Sequence, residues 1–353
     1  MMLRRLLIFG LGSFLMGCSG TPDRQDLYKQ MTKVDAHVHI RTEDPAIMEY
    51  AASEGFKLLT INTRSDNQLY IDEQKHAAIK MNALYPESIS WLATFSMEHF
   101  EEPGWADGVI LELRESLDKG AVGFKIWKDI GMTFRDSLGN FVFLDDALFE
   151  PVLDFMEASG FTLLTHIGEP KNCWLPIDSM TVNGDKSYFT ENPQYHMYLH
   201  PDYPSHERLM QSRDHVLARH PDLQMVGAHL GSLEWDVDIL AERLDRYPNF
   251  AVDMAARVCH FQVQDRQKVI DFILKYQDRI LYATDMSVSG DGFEARKEWI
   301  ESEWRSDWAY FATDSLMSSR NVEGEFRGLD LDREVLEKIY HTNAIQWYPG
   351  AFE

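Results

Sequence analysis

The sequence predicts an α/β fold, a (β/α)8 TIM barrel, and three observations carry that reading. Eight short apolar runs alternate with longer segments of helical spacing between residues 34 and 285. Ionisable side chains fall at the C-terminal ends of these runs. No Gly/Ser-rich or Pro-rich linker divides the chain beyond residue 30, so a single domain over 31–353 is expected.

In order, the runs are VDAHVHI (34–40), KLLTIN (57–62), ISWLATF (89–95), AVGFKIW (121–127), FTLLTHIG (161–168), LQMVGAHLG (223–231), FAVDMA (250–255) and RILYATD (279–285). Between them lie segments such as DEQKHAAIKMNALYPE, GVILELRESLDKG and DVDILAERLDRYP, with apolar residues at helical intervals. Strand, helix and strand in repetition require parallel pairing, because only a long crossover returns the chain in the same direction. Eight such units point to a closed barrel. An open doubly wound sheet is the competing topology, but HIRTED follows the first run where that fold would place a glycine-rich loop.

A barrel gathers its chemistry at the C-terminal ends of its strands. His37 and His39 end the first run, Lys125 the fourth, His166 the fifth, His229 the sixth and Asp285 the eighth. Strict alternation puts Asp35, His37 and His39 on one strand face and Val34, Ala36, Val38 and Ile40 on the other. The same rule groups Lys125 with Ala121 and Gly123, leaving Lys128 beyond the strand end. A lone strand histidine is ordinarily a core residue with one hydrogen bond, and a lone Asp a helix cap. Several such groups converging on one mouth need mutual compensation, which a divalent cation with an open coordination position supplies.

The N-terminal segment is read separately. Arg4 and Arg5 precede an apolar run from Leu6 to Met16, the pattern of an export signal too short to span a bilayer. Its end, Leu15-Met16-Gly17-Cys18, resembles the lipobox of bacterial lipoproteins, which implies lipidation at Cys18. Ser19 at the following position goes with outer-membrane sorting on the periplasmic side. Residues 1–18 are then signal and 19–30 a tether. The net charge of −23 disfavours a nucleic-acid partner. Beyond Cys18 only Cys173 and Cys259 remain, too few for a disulfide scaffold.

With those residues in place, the chain resembles the amidohydrolase superfamily, in its amidohydrolase-related branch of metal-dependent hydrolases and decarboxylases. The resemblance runs from about 30 to 348 and rests on DAHVH, LLTHIGEP, GAHLGSLEWD, YATD and the closing EKIYHTNAIQWYP. It implies metal ligands at His37, His39, His166 and Asp285, with His229 beside the catalytic water or binding a second ion. The expected cofactor is a divalent ion, zinc first and manganese as the other candidate. One ion is favoured, and two follow if Lys125 is carboxylated. A bare Lys125 would instead bind a substrate anion.

The same resemblance implies hydrolysis of a lactone, amide or ester of a small organic acid or sugar derivative, with Asp285, His229 and Lys125 as catalytic groups. The alternative is non-oxidative decarboxylation of an unsaturated carboxylic acid. A noncatalytic, metal-stabilised lipoprotein is the reading from a different class. The loops suggest a small, anionic substrate: Arg64 after the second run, Trp174 and His196 within the long 168–206 connection, and Arg257 after the seventh run. Trp299, Trp304 and Trp308 either wall a pocket or pack an additional helix. A homodimer is compatible with the sequence and not required by it.

Overall fold

The computed structural model describes residues 24–290 and 292–353. Cys18 and the signal segment lie outside the described residues. No described helix is long and apolar enough to cross a membrane. Residues 24–30, assigned to the tether on sequence, form a helix (Arg24–Gln30) with Leu27 and Tyr28 buried. Trp308 Nε1 donates to Arg24 O at 3.2 Å and Lys33 Nζ to Tyr28 O at 2.6 Å, which seats this helix on the domain.

Among the described residues, nine strands form one parallel sheet: β1 (Lys33–Arg41), β2 (Phe56–Ile61), β3 (Ile89–Ala93), β4 (Ala121–Ile126), β5 (Thr162–Thr165), β6 (Met225–Gly227), β7 (Phe250–Asp253), β8 (Ile280–Leu281) and β9 (Met286–Ser289). Their order is β8-β7-β6-β5-β4-β3-β2-β1-β9, so each of β1 to β7 lies beside its successor in the chain. Helices cross between them, several begun by a side chain that takes up a free N–H. Asn67 accepts from Tyr70 N, Ser205 from Arg208 N and Asp265 from Lys268 N.

The eighth run differs from expectation. Residues 282–285 interrupt it, Asp285 has φ of 67°, and the two flanking pieces pair on opposite sides, β8 with β7 and β9 with β1. The strand ladder is therefore an open, curled parallel sheet rather than a ring of eight unbroken strands.

The inner apolar layer takes residues from every strand from β1 to β8, including Val34, Ala36, Leu59, Leu92, Val122, Leu164, Val226, Ala251 and Leu281. Trp347, Tyr348 and Phe352 from the C-terminal segment pack against it. The outer layer, under the helices, holds Val38, Ile40, Leu58, Phe124 and Ile126. Val34 and Val38 thus lie on opposite faces, although strict alternation would put them together. The cause is a bulge: Asp35 pairs with Leu58 but Val38 with Thr60, three residues of β1 against two of β2. One extra residue reverses the in-out phase.

That bulge corrects the expected face of Asp35. Its carboxylate accepts from Thr284 N (3.0 Å), Thr284 Oγ1 (2.6 Å) and Trp304 Nε1 (3.0 Å), the last from the helix Phe293–Ala312. A second bulge in β4, where Trp91 pairs with Ala121 but Ala93 with Phe124, does the same for Lys125. Ala121 belongs to the outer layer and does not share the face of Lys125. Trp304 and Trp308 are buried and pack their helix, with Trp304 stacked on Phe56 at 4.0 Å between centroids.

Candidate metal centre

Past their bulges, β1 and β4 turn His37, His39 and Lys125 toward the space at the C-terminal ends of the strands. β6 adds His229 by an unusual route. The chain leaves the strand at Gly227, and His229 and Leu230 adopt left-handed backbone (φ 58° and 57°). Gly227 permits the turn, since a Cβ there would lie 2.8 Å from Gly231 Cα and 2.7 Å from Phe250 Cζ. Left-handed non-glycine residues also stand after β2 (Arg64), β7 (Ala256) and β8 (Asp285). Such backbone is unfavourable by about 1 to 3 kcal/mol per residue and tends to gather at functional sites.

The rings form a continuous cluster. Centroids of His37 lie 5.3 Å from His39 and 5.0 Å from His229, and His166 lies 4.2 Å from His229. Trp127 stands between His39 (6.5 Å) and His166 (5.1 Å), with Lys125 Nζ 5.7 Å from its ring centroid. Asp285 Oδ1 approaches His39 Nε2 at 3.0 Å and His37 Nε2 at 3.4 Å. One ligand atom from each of His37, His39 and Asp285 lies within 4.8 Å of the other two. His166 is not in that three-residue group.

The partners on the far side of each ring assign the tautomers. His37 Nδ1 donates to Asp253 Oδ2 (2.8 Å), His39 Nδ1 to Ile61 O (3.0 Å) and His229 Nδ1 to Ala255 O (2.8 Å). With Nδ1 as donor, His37 and His229 turn an Nε2 lone pair toward the cluster, while His39 Nε2 lies at hydrogen-bond distance from Asp285 Oδ1. Burial lowers the His39 pKa, drives His229 down to about 3 and holds His166 well below its ordinary value. Burial alone would raise Asp285, but hydrogen bonding with His39 and the surrounding rings outweighs it and keeps this group well below the carboxylate range.

The Nε2 lone pair of His37, 3.4 Å from the ionised Asp285 carboxylate, is repelled by it unless a cation lies between them. His37 Nε2 and both nitrogens of His166 are buried without a hydrogen-bond partner. The donor set and these orphaned atoms fit a divalent metal ion.

Two residues here were not singled out from the sequence. Asp253, at the end of β7, bonds His37 through one oxygen, while the other accepts from His229 N (2.8 Å) and Ala255 N (3.1 Å). Its signal was an Asp closing FAVD, the same kind of signal that marked Asp285. Trp127 ends GFKIW beside Lys125. Lys125 Nζ is fully buried without a hydrogen-bond partner, and burial pulls its pKa down to about 8. Lys128 instead forms an ion pair with Glu169.

The loop residues have partners of their own. Arg64 gives its guanidinium to Asp66 (3.0 Å). Trp174 Nε1 donates to Pro204 O (3.1 Å), and buried His196 donates through Nε2 to Leu175 O (2.7 Å), so both organise the long loop itself. Arg257 lines a cavity of about 600 Å³ with Trp299, Cys259 and Arg320. Cys173 and Cys259 are free thiols.

The chain belongs to the amidohydrolase family, whose sequence profile matches residues 34–350. Among curated proteins, no match is found. Its fold is similar to that of 2,6-dihydroxybenzoate decarboxylase from Rhizobium, at 16% identity and a TM-score of 0.54, over 90% of this chain and 98% of that one. It is also similar to a dihydroxybenzoic acid decarboxylase from Polaromonas sp. JS666, solved with bound manganese and the inhibitor 2-nitroresorcinol. That match has 15% identity and a TM-score of 0.53, over 90% of this chain and 97% of that one. At such identity the likeness establishes the fold.

Proposed function

We propose that this protein is a metal-dependent, non-oxidative decarboxylase of a small unsaturated carboxylic acid. The observation that carries the reading is the pairing of two features at one mouth: the His37, His39 and Asp285 group, and the buried, unpartnered ammonium of Lys125. Family membership supports metal-dependent catalysis, and the decarboxylases that share the fold support this chemistry over hydrolysis.

A divalent ion held by His37, His39 and Asp285 would supply Lewis acidity toward the substrate's oxygen atoms. Lys125 binds an anionic group of the acid, since an ammonium in a dry site gains most from an ionic partner. Trp127 walls the conjugated system. His229, kept neutral, and His166 orient the acid and exclude water. Asp285 is ionised and one third exposed where the His37 ring is fully buried, so it is the group placed to take a proton from solvent water and pass it to the substrate carbon. The bond to the carboxyl carbon breaks, carbon dioxide leaves, and that proton joins the carbon left behind. Asp253 holds the His37 tautomer.

Hydrolysis of a lactone, amide or ester by the same residues is the second reading, supported by the family itself. The sheet is read as a closed (β/α)8 barrel with β8 and β9 as halves of one strand. Ala36 N donates to Tyr282 O (3.0 Å) and Asp285 N to His37 O (2.9 Å) across the break, which supports closure. Anchoring through a lipid on Cys18 remains part of this reading, and fatty-acid labelling lost in Cys18→Ala tests it.

The test of function is a paired panel on manganese- or zinc-loaded full-length protein. Carbon dioxide is measured from hydroxyaryl and enoic acids, and ring or bond opening from lactones, amides and esters. Carbon dioxide release that disappears in Asp285→Asn is the expected result. Turnover of the hydrolytic panel alone would transfer the assignment to the second reading, and turnover of neither would sink both.

A further inference from the structure

We propose a second cation site on the outside of the domain, built from Glu150, Asp154 and His220. Glu150 and Asp154 stand one turn apart on the helix Glu150–Ser159, and His220 closes the helix His206–Arg219. His220 precedes β6, at the end of the sheet opposite the mouth that carries His166 and His229. One ligand atom from each of the three residues lies within 4.8 Å of the other two.

The imidazole gives the independent indication. It is only 3% exposed, and its Nε2 is buried without a hydrogen-bond partner, 3.5 Å from Glu150 Oε1. Nδ1 donates to Glu157 Oε2 at 3.2 Å, and the other oxygen of Glu157 accepts from Asp222 N at 3.0 Å. Asn249 Nδ2 donates to His220 O at 3.0 Å, which fixes the backbone under the ring. Glu157 therefore assigns the tautomer; the Nε2 lone pair faces Glu150, and Asp154 Oδ1 approaches the ring from the Nδ1 side, at 3.8 Å. A carboxylate behind a histidine whose other nitrogen faces outward is how metal-binding imidazoles are commonly oriented.

Charge agrees with geometry. Glu150, Asp154 and Glu157 surround a ring that adds no charge when neutral, and Arg219 compensates one carboxylate through Glu150 Oε2 at 3.0 Å. Two negative charges are left, matching a divalent ion. One imidazole with carboxylates suits zinc or manganese, and the partly exposed position leaves room for water ligands. Such an ion would clip the helix Glu150–Ser159 to the turn entering β6.

Zinc is titrated into metal-free full-length protein, bound equivalents are counted by native mass spectrometry, and His220 is followed by its ring 15N shifts. Asp154 is two-thirds exposed, so Asp154→Asn should fold normally. In the wild type, zinc should shift the His220 Nε2 resonance; Asp154→Asn should bind one equivalent fewer, or bind it at least tenfold more weakly, without that shift. Glu150→Gln should behave alike, and both variants should keep the ion at the mouth. Equal zinc stoichiometry and affinity in wild type and Asp154→Asn, or a His220 Nε2 that stays protonated and unmoved by zinc, overturns the proposal.

Discussion

His37 Nδ1 lies 2.8 Å from Asp253 Oδ2, and both side chains are excluded from solvent. The carboxylate therefore selects which nitrogen of His37 faces Asp285. In Asp253→Asn an amide can still accept from His37, but its NH2 group meets the backbone N–H groups of His229 and Ala255. Metal affinity should fall roughly 10- to 100-fold, measured by competition with a chromogenic chelator. Unchanged affinity would mean that the His37 tautomer is set by something else.

Lys125 separates two accounts of the mouth. Its ammonium is buried without a hydrogen-bond partner, so Lys125→Met should leave the melting temperature unchanged or higher. If the amine binds the substrate anion, KM should rise by about tenfold or more, for an ionic contact of at least about 1.4 kcal/mol, with metal content unchanged. Loss of one of two bound ions would instead identify a carboxylated lysine.

Position 35 tests the bulge. Asp35 faces Thr284 and Trp304, and burial pushes its carboxyl up to about 6. Asp35→Ala leaves three buried donor bonds unmade and should destabilise by about 3 to 5 kcal/mol in chemical denaturation. Asp35→Asn should lose less, and its bound-metal count should equal the wild type's. A drop in that count would place Asp35 among the ligands.

Acid sensitivity should have a component that belongs to His206. Burial between Trp174 and Trp235 lowers its pKa to about 3, and Nε2 donates to Ser232 O. The folded value is depressed, so the neutral ring's contribution is fully present above the unfolded value near 6.5 and is lost as pH falls toward 3. One such group gives a slope approaching 1.4 kcal/mol per pH unit across that window. In His206→Gln, urea midpoints measured from pH 7 to 4 should fall less steeply than in the wild type.

Periodicity made the strand-helix alternation and the order of the eight runs readable, because period 2 and period 3.6 are local properties of the chain. The residues His37, His39, His166, His229, Lys125 and Asp285 were readable for a related reason: an ionisable group closing an apolar run is conspicuous wherever it occurs. The faces of Asp35 and Ala121 were not readable. A bulge adds one residue without changing the composition of the run, and every side chain before it then lies opposite to the face that alternation assigns.

The sequence by itself determined the parallel α/β architecture, the family and the inventory of ionisable side chains at the strand ends. Tertiary structure alone decided how that inventory is arranged. Asp253 meets His37 across 216 residues and Asp285 meets His39 across 246, pairings that no local pattern encodes. It also left Arg64 with Asp66 and His196 inside its own loop, because hydrogen-bonding groups take the nearest partner the packed chain offers. The direction of a ring nitrogen depends on what stands behind the ring, and that is known only once the chain has folded.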